Sequence, residues 1–83
     1  MRFRKSFTLP YGYHISTKVY TKSRFLKAGG GTSDFAFWCS ARQTIFLRAD
    51  RLPTEQWEDY LHELDHAWTD YKEWLRQQAT IMP

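Results

Sequence analysis

From Pro53 to about Ala79 nothing in the chain interrupts a helix. No glycine and no second proline occurs there, and Trp57, Leu61, Leu64, Trp68, Tyr71 and Leu75 recur at spacings of 4, 3, 4, 3 and 4 residues. At about 100° per residue that rhythm puts all six on one side of an α-helix. Tyr60, Ala67 and Trp74 widen the stripe on one side. Leu52-Pro53-Thr54-Glu55 supplies a start: proline in the first turn, Thr54 as the expected N-cap, and acids near the positive end of the helix dipole. With 83 residues, the chain has room for one small domain spanning 1–83, and its core must be thin. Four Trp, five Tyr and six Phe compensate, because each aromatic buries a large area.

The residues before the helix change period from 3.6 to 2. Tyr13 to Tyr20 alternates, with Tyr13, Ile15, Thr17 and Val19 on one side and His14, Ser16, Lys18 and Tyr20 on the other. Phe35-Ala36-Phe37-Trp38-Cys39 reads as a second strand, and Thr44-Ile45-Phe46-Leu47-Arg48 as a third, antiparallel to the second across a reversal at Ser40-Ala41-Arg42. Residues 1–12 read as an irregular basic segment ending in the turn signal Leu9-Pro10-Tyr11-Gly12. Gly29-Gly30-Gly31-Thr32-Ser33 is a flexible loop that lacks the Gly-Lys-Ser/Thr ending of a phosphate-binding loop. The expected architecture is α+β: an antiparallel sheet of about three strands packed on one long C-terminal helix over 53–79.

That helix carries His62-Glu63-Leu64-Asp65-His66, a match to His-Glu-x-x-His. Residues four apart lie about 6 Å apart along the axis on one face, so two imidazoles can converge on one zinc ion. A glutamate beside the first histidine can serve as general base toward a water molecule there. His62 and His66 fall away from the apolar stripe, on a face shared with Asp59, Asp70 and Glu73. The plain reading makes that face solvated; the functional reading turns it toward a cleft.

A strand, a Leu-Pro start and a helix bearing His-Glu-Leu-x-His-Ala resemble the zincin metallopeptidases, in particular the short zincin-like proteins of phages and bacteria. The resembling block runs from Ile45 to Asp70. It implies zinc as cofactor, His62 and His66 as ligands, Glu63 as catalytic base and a peptide or protein as substrate. It also implies a strand beside the cleft, with an edge strand able to hold an extended peptide. A third protein ligand is expected as well. Asp70 is the nearest acid, either as that ligand or as a partner orienting His66. Glu73, Cys39, His14, Asp34 and Asp50 are the other candidates. His-Glu-x-Asp-His with Cys39 upstream also resembles peptide deformylase, although that family's motif before the cysteine and its glycine-rich motif are absent.

Charge divides along the chain. Residues 1–52 hold ten Lys/Arg and two Asp/Glu, a balance of +8, whereas residues 53–83 hold two and seven, a balance of −5. The basic part could meet an acidic partner or nucleic acid. More simply, the basic strands complement the acidic helix. A single cysteine, Cys39, precludes an internal disulfide and suggests a reducing, cytoplasmic setting. No apolar run suits a membrane span and no signal peptide is evident. Three functions follow from the sequence: a zinc metallopeptidase, a non-enzymatic interaction protein on a zincin-like scaffold, and a nucleic-acid binder.

Overall fold

A computed structural model describes residues 4–81 of the chain. Strand β1 (Ser6–Leu9) turns through a 3-10 segment at Pro10–Gly12 into β2 (Tyr13–Tyr20). Helix α1 (Lys22–Lys27), β3 (Ala36–Cys39), β4 (Thr44–Arg48) and the long α2 (Pro53–Ile81) follow. The sheet order is β1-β2-β4-β3. The expected α+β architecture, a sheet on one long C-terminal helix, is present.

The sheet has one strand more than the expected three and is mixed. β1 lies in the segment read as irregular. Its alternation covers only four residues, with Phe7 and Leu9 half-buried and Ser6 and Thr8 exposed, too short a run to stand out. It pairs antiparallel with β2, Phe7 opposite Ile15. The turn between them places Tyr11 at φ 72° and Gly12 at φ 91°, a region costly for tyrosine and natural for glycine. β3 and β4 pair antiparallel as expected, but β2 and β4 run parallel, Thr17 opposite Ile45. A parallel pair needs a crossover, and α1 lies within it. The Thr21 side chain caps α1 by accepting from the Arg24 N–H at 3.4 Å.

Two layers cover the sheet. On one face Tyr13, Ile15, Ile45 and Leu47 form the main core with Tyr60, Ala67 and Tyr71 of α2. On the other, Phe46 stacks on Phe37 at 4.8 Å between centroids, and Phe37 meets Phe25 of α1 edge-on at 5.3 Å. Gly30 is required here, since a Cβ at that position would fall 2.1 Å from the Phe25 ring.

The buried face of α2 is not centred where the apolar stripe is. It centres on Tyr60, Ala67 and Tyr71, with Glu63 also buried, while Leu61 and Trp68 stay 47 % and 48 % exposed. The helix is therefore turned by about 70° from the orientation that its stripe alone dictates. Directional contacts on the polar side account for the turn. The Gln56 amide donates to the Arg48 carbonyl at 2.9 Å, and the Trp38 indole donates to Asp70 at 2.5 Å. Arg51 reaches Asp59 at 3.0 Å and Glu55 at 3.1 Å, and the Tyr71 hydroxyl donates to the Pro10 carbonyl at 2.8 Å. Thr54 lies inside α2 rather than capping it. Leu52 stands at the cap position, and Glu55, three residues on, reaches back to accept from the Leu52 N–H at 3.0 Å, the reciprocal half of a capping box. No helix among the described residues is long and apolar enough to cross a membrane.

Candidate metal centre

The turn of α2 that bears His62, Glu63 and His66 is regular helix, so the four-residue spacing puts both imidazoles on one side. One donor atom from each of the three side chains lies within 4.8 Å of the others. His62 Nε2 stands 3.9 Å from Glu63 Oε2, and the two imidazole rings meet edge-to-face with centroids 5.0 Å apart. Donors around a four-coordinate zinc at 2.0–2.1 Å sit about 3.3 Å from one another. Small side-chain rotations would close that difference. Two imidazole nitrogens and a carboxylate are an appropriate donor set for a divalent transition metal. This group could therefore hold a metal ion.

The three side chains differ in surroundings. His62 and His66 are exposed, whereas Glu63 is buried against the sheet. Burial pushes the Glu63 carboxyl up from its ordinary value; the neighbouring His62 and His66 and a hydrogen bond from the Trp38 backbone oppose that rise, and Asp34 adds to it. Glu63 thus sits where α2 meets the outer strand of the sheet, β3. An open cleft of about 370 Å³ lies there, lined by Phe37, Trp38, Glu63, His66, Thr69 and Asp70. His66 lines this cleft beside Glu63, whereas His62 lies outside its lining, turned toward solvent. The pair therefore stands at the outer rim of the cleft, His66 on its wall and His62 just outside.

The candidate third ligands scatter. Asp70 shares the cleft but stays outside the donor group, and it binds the Trp38 indole N–H rather than an imidazole. Glu73 pairs with Arg76 at 3.2 Å. Asp50 gives both carboxylate oxygens to Arg48, at 2.9 and 2.6 Å. His14 alternates with the core residues Tyr13 and Ile15, lies on the sheet face away from α2, and bonds Thr8 at 3.0 Å. Cys39 is out of register with Ala36 and Trp38, which pack toward α2, so the residue behind the deformylase resemblance does not reach the histidines. Asp34 is exposed and holds the Gly31 N–H at 3.0 Å; its charge is felt at Glu63, but it too lies outside the group. Among the described residues, His62, Glu63 and His66 alone form such a cluster.

Trp38 was legible in sequence only as a strand residue. A part-buried indole N–H needs an acceptor, and that need was the available signal that β3 must meet an acid. It does not say which acid. Neither a protein-family model, nor a curated protein, nor a solved structure matches the chain.

Proposed function

We propose that the chain is a zinc-dependent metallopeptidase of zincin-like type. The observation that carries this reading is the convergence of His62, Glu63 and His66 on one rim of α2, with Glu63 buried at the wall of an open cleft. His62 and His66 would hold the ion through ring nitrogens. Bound zinc supplies Lewis acidity, polarising a carbonyl and making water more acidic. The Glu63 carboxylate takes a proton from the attacking water and passes it to the departing amine nitrogen. A buried carboxyl whose proton affinity is raised is suited to both halves of that transfer. The bond from the Trp38 indole to Asp70 ties β3 to α2 along the cleft, and β3, as an outer strand, offers backbone groups other than the Trp38 N–H, which Glu63 holds, to an extended peptide.

The test is zinc content of the purified protein together with cleavage of a peptide library. Stoichiometric zinc, cleavage in the native protein, and retained zinc without cleavage in Glu63→Gln are expected. Zinc lost in His62→Ala completes the pattern. Retained zinc with unchanged cleavage in Glu63→Gln overturns the mechanism, and a native protein that binds no added zinc overturns the centre itself.

A second reading is favoured by one observation: among the described residues no donor beyond His62, Glu63 and His66 joins the group, so a Glu63 used as base leaves only two protein ligands. On it, the same scaffold binds a partner without catalysis. Lys18 and the helix α1, with Lys22, Arg24 and Lys27, lie on the sheet face opposite α2 and suit an acidic protein or nucleic acid. Partner capture equal in native protein and Glu63→Gln, with no cleavage by either, selects this reading.

A further inference from the structure

Helix α2 has a second flank that the fold covers only in part. Leu61 and Trp68 are about half exposed, while Trp57, Leu64 and Leu75 pack one side against the core and leave the other to solvent. These residues follow one line along the helix. From Trp57 to Ala79 that line is about 33 Å long. At its C-terminal end it opens into a groove of about 410 Å³ lined by Tyr11, Trp74, Leu75, Gln78 and Ala79. Tyr11 is 83 % exposed there, in a left-handed conformation. An apolar strip with a groove at one end is a binding surface in search of an occupant.

We propose that the occupant is a second copy of this chain, its α2 packed antiparallel across a two-fold axis at Trp68. The residues themselves are arranged for it. An axis through Trp68 pairs positions whose numbers add to 136. Trp68 then meets Trp68 of the second copy, Leu61 meets Leu75, and Trp57 meets Ala79 at the groove. Leu64 falls opposite the aliphatic stem of Lys72.

Charge selects the same direction. Along the outer margin of the strip the order is Glu58, Asp65, Lys72, Arg76: two acids, then two bases. Antiparallel packing sets Asp65 beside Lys72 of the second copy and Glu58 near Arg76, which in the single chain rests on Glu73 at 3.2 Å. A parallel two-fold pair would instead turn this margin toward the opposite flank of the second helix, which Tyr60, Ala67 and Tyr71 already bury on its own sheet, and would leave the four charges without partners. The contact is isologous, so it closes at two copies and does not propagate. It is narrow, one helix wide, which places it among weak, reversible interfaces. The histidines lie about 140° further round the helix and stay open in the pair. Dimerisation therefore stands or falls independently of the metal centre.

Sedimentation equilibrium of the full chain, in excess chelator, from about 1 μM to about 500 μM reads the association directly. The mass should rise from the 10.0 kDa monomer toward twice that value, with a midpoint in the micromolar range. Trp68→Glu should weaken association at least tenfold. Asp65→Lys and Lys72→Asp should each weaken it several-fold, and the double variant should restore it to within about twofold of native. All three positions are exposed, so circular dichroism should report an unchanged fold. A monomer throughout the range overturns the proposal, as does a dimer indifferent to Trp68→Glu. A double charge swap no better than its worse single change overturns the antiparallel register.

Discussion

The two flanks of α2 border the same buried face, yet only the polar one is drawn into the structure. On one side Gln56, Asp59, Glu63 and Asp70 reach β3, β4 and the loop at Arg51. On the other, Leu61 and Trp68 stand half in water. Apolar residues show which half of a helix avoids water, but burial is non-directional and tolerates rotation. Hydrogen bonds and ion pairs have fixed geometry, and here they set the angle. The rotation that uncovers Leu61 and Trp68 brings Glu63 under the sheet edge and leaves His62 and His66 at the rim. The exposed apolar flank and the candidate centre are two results of one turn of the helix.

The contrast depends first on Ala67, which is fully buried where α2 crosses the sheet. A small residue lets the helix approach closely enough for the polar flank to make its bonds. Ala67→Leu should cost about 3 kcal/mol, the upper end for overpacking, because sheet and helix are both anchored there. Urea unfolding at low micromolar concentration measures it. A loss below about 0.5 kcal/mol would mean that the helix is free to roll, and the difference between its flanks would vanish.

Asp70 tests the polar flank directly. Asp70→Ala removes the acceptor of the Trp38 indole N–H and should cost about 2 kcal/mol, because a part-buried donor loses its partner. Trp38→Phe together with Asp70→Ala should cost less than the sum of the two single changes, since neither then leaves an orphan. Strict additivity would show that this bond does not hold the helix at its angle.

Much of this was legible in advance, and the rest was hidden for physical reasons. The histidine pair was legible because its geometry is local: four residues on a helix fix it wherever the helix goes. Strands over 13–20 and 44–48 were legible from alternation and β-branched content. β1 was not, with two half-buried residues in four. The parallel pairing of β2 with β4 was not either, because pairing between distant segments leaves no trace in either segment alone. The helix rotation was not legible, since Asp70 reads as one acid of a polar face until Trp38 and the sheet edge come to meet it. Asp34 was among the candidate ligands, but it stays outside the donor group and only its charge is felt at Glu63.

Glu63 marks the cost of that rotation. Its folded-state carboxyl holds a proton more tightly than in the unfolded chain, mainly through burial. Stability from this group is thus fully present below the ordinary glutamate range and is lost as pH rises through the higher folded value. In metal-free protein, Glu63→Gln should be more stable than native at neutral pH. The advantage should shrink as pH falls toward 4, about the ordinary value for glutamate. Thermal melts in chelator from acid to neutral pH measure the trend. An advantage that grows on acidification would mean that His62 and His66 outweigh burial and that Glu63 is held chiefly as their counter-ion.

Leu61 should give the smallest response and the sharpest statement about the other flank. In the single chain its side chain is 47 % exposed, so Leu61→Ser removes little buried area and leaves no donor stranded. Unfolding free energy at low micromolar concentration should change by less than about 0.5 kcal/mol, as for surface positions generally. The same substitution at Leu64, half-buried one turn along, should cost more, because part of its area faces the core. If Leu61→Ser costs as much as Leu64→Ser in dilute solution, the flank is covered by this chain itself. Equal costs only at high concentration would instead place the cover on a second copy, since association then contributes to the stability that is measured.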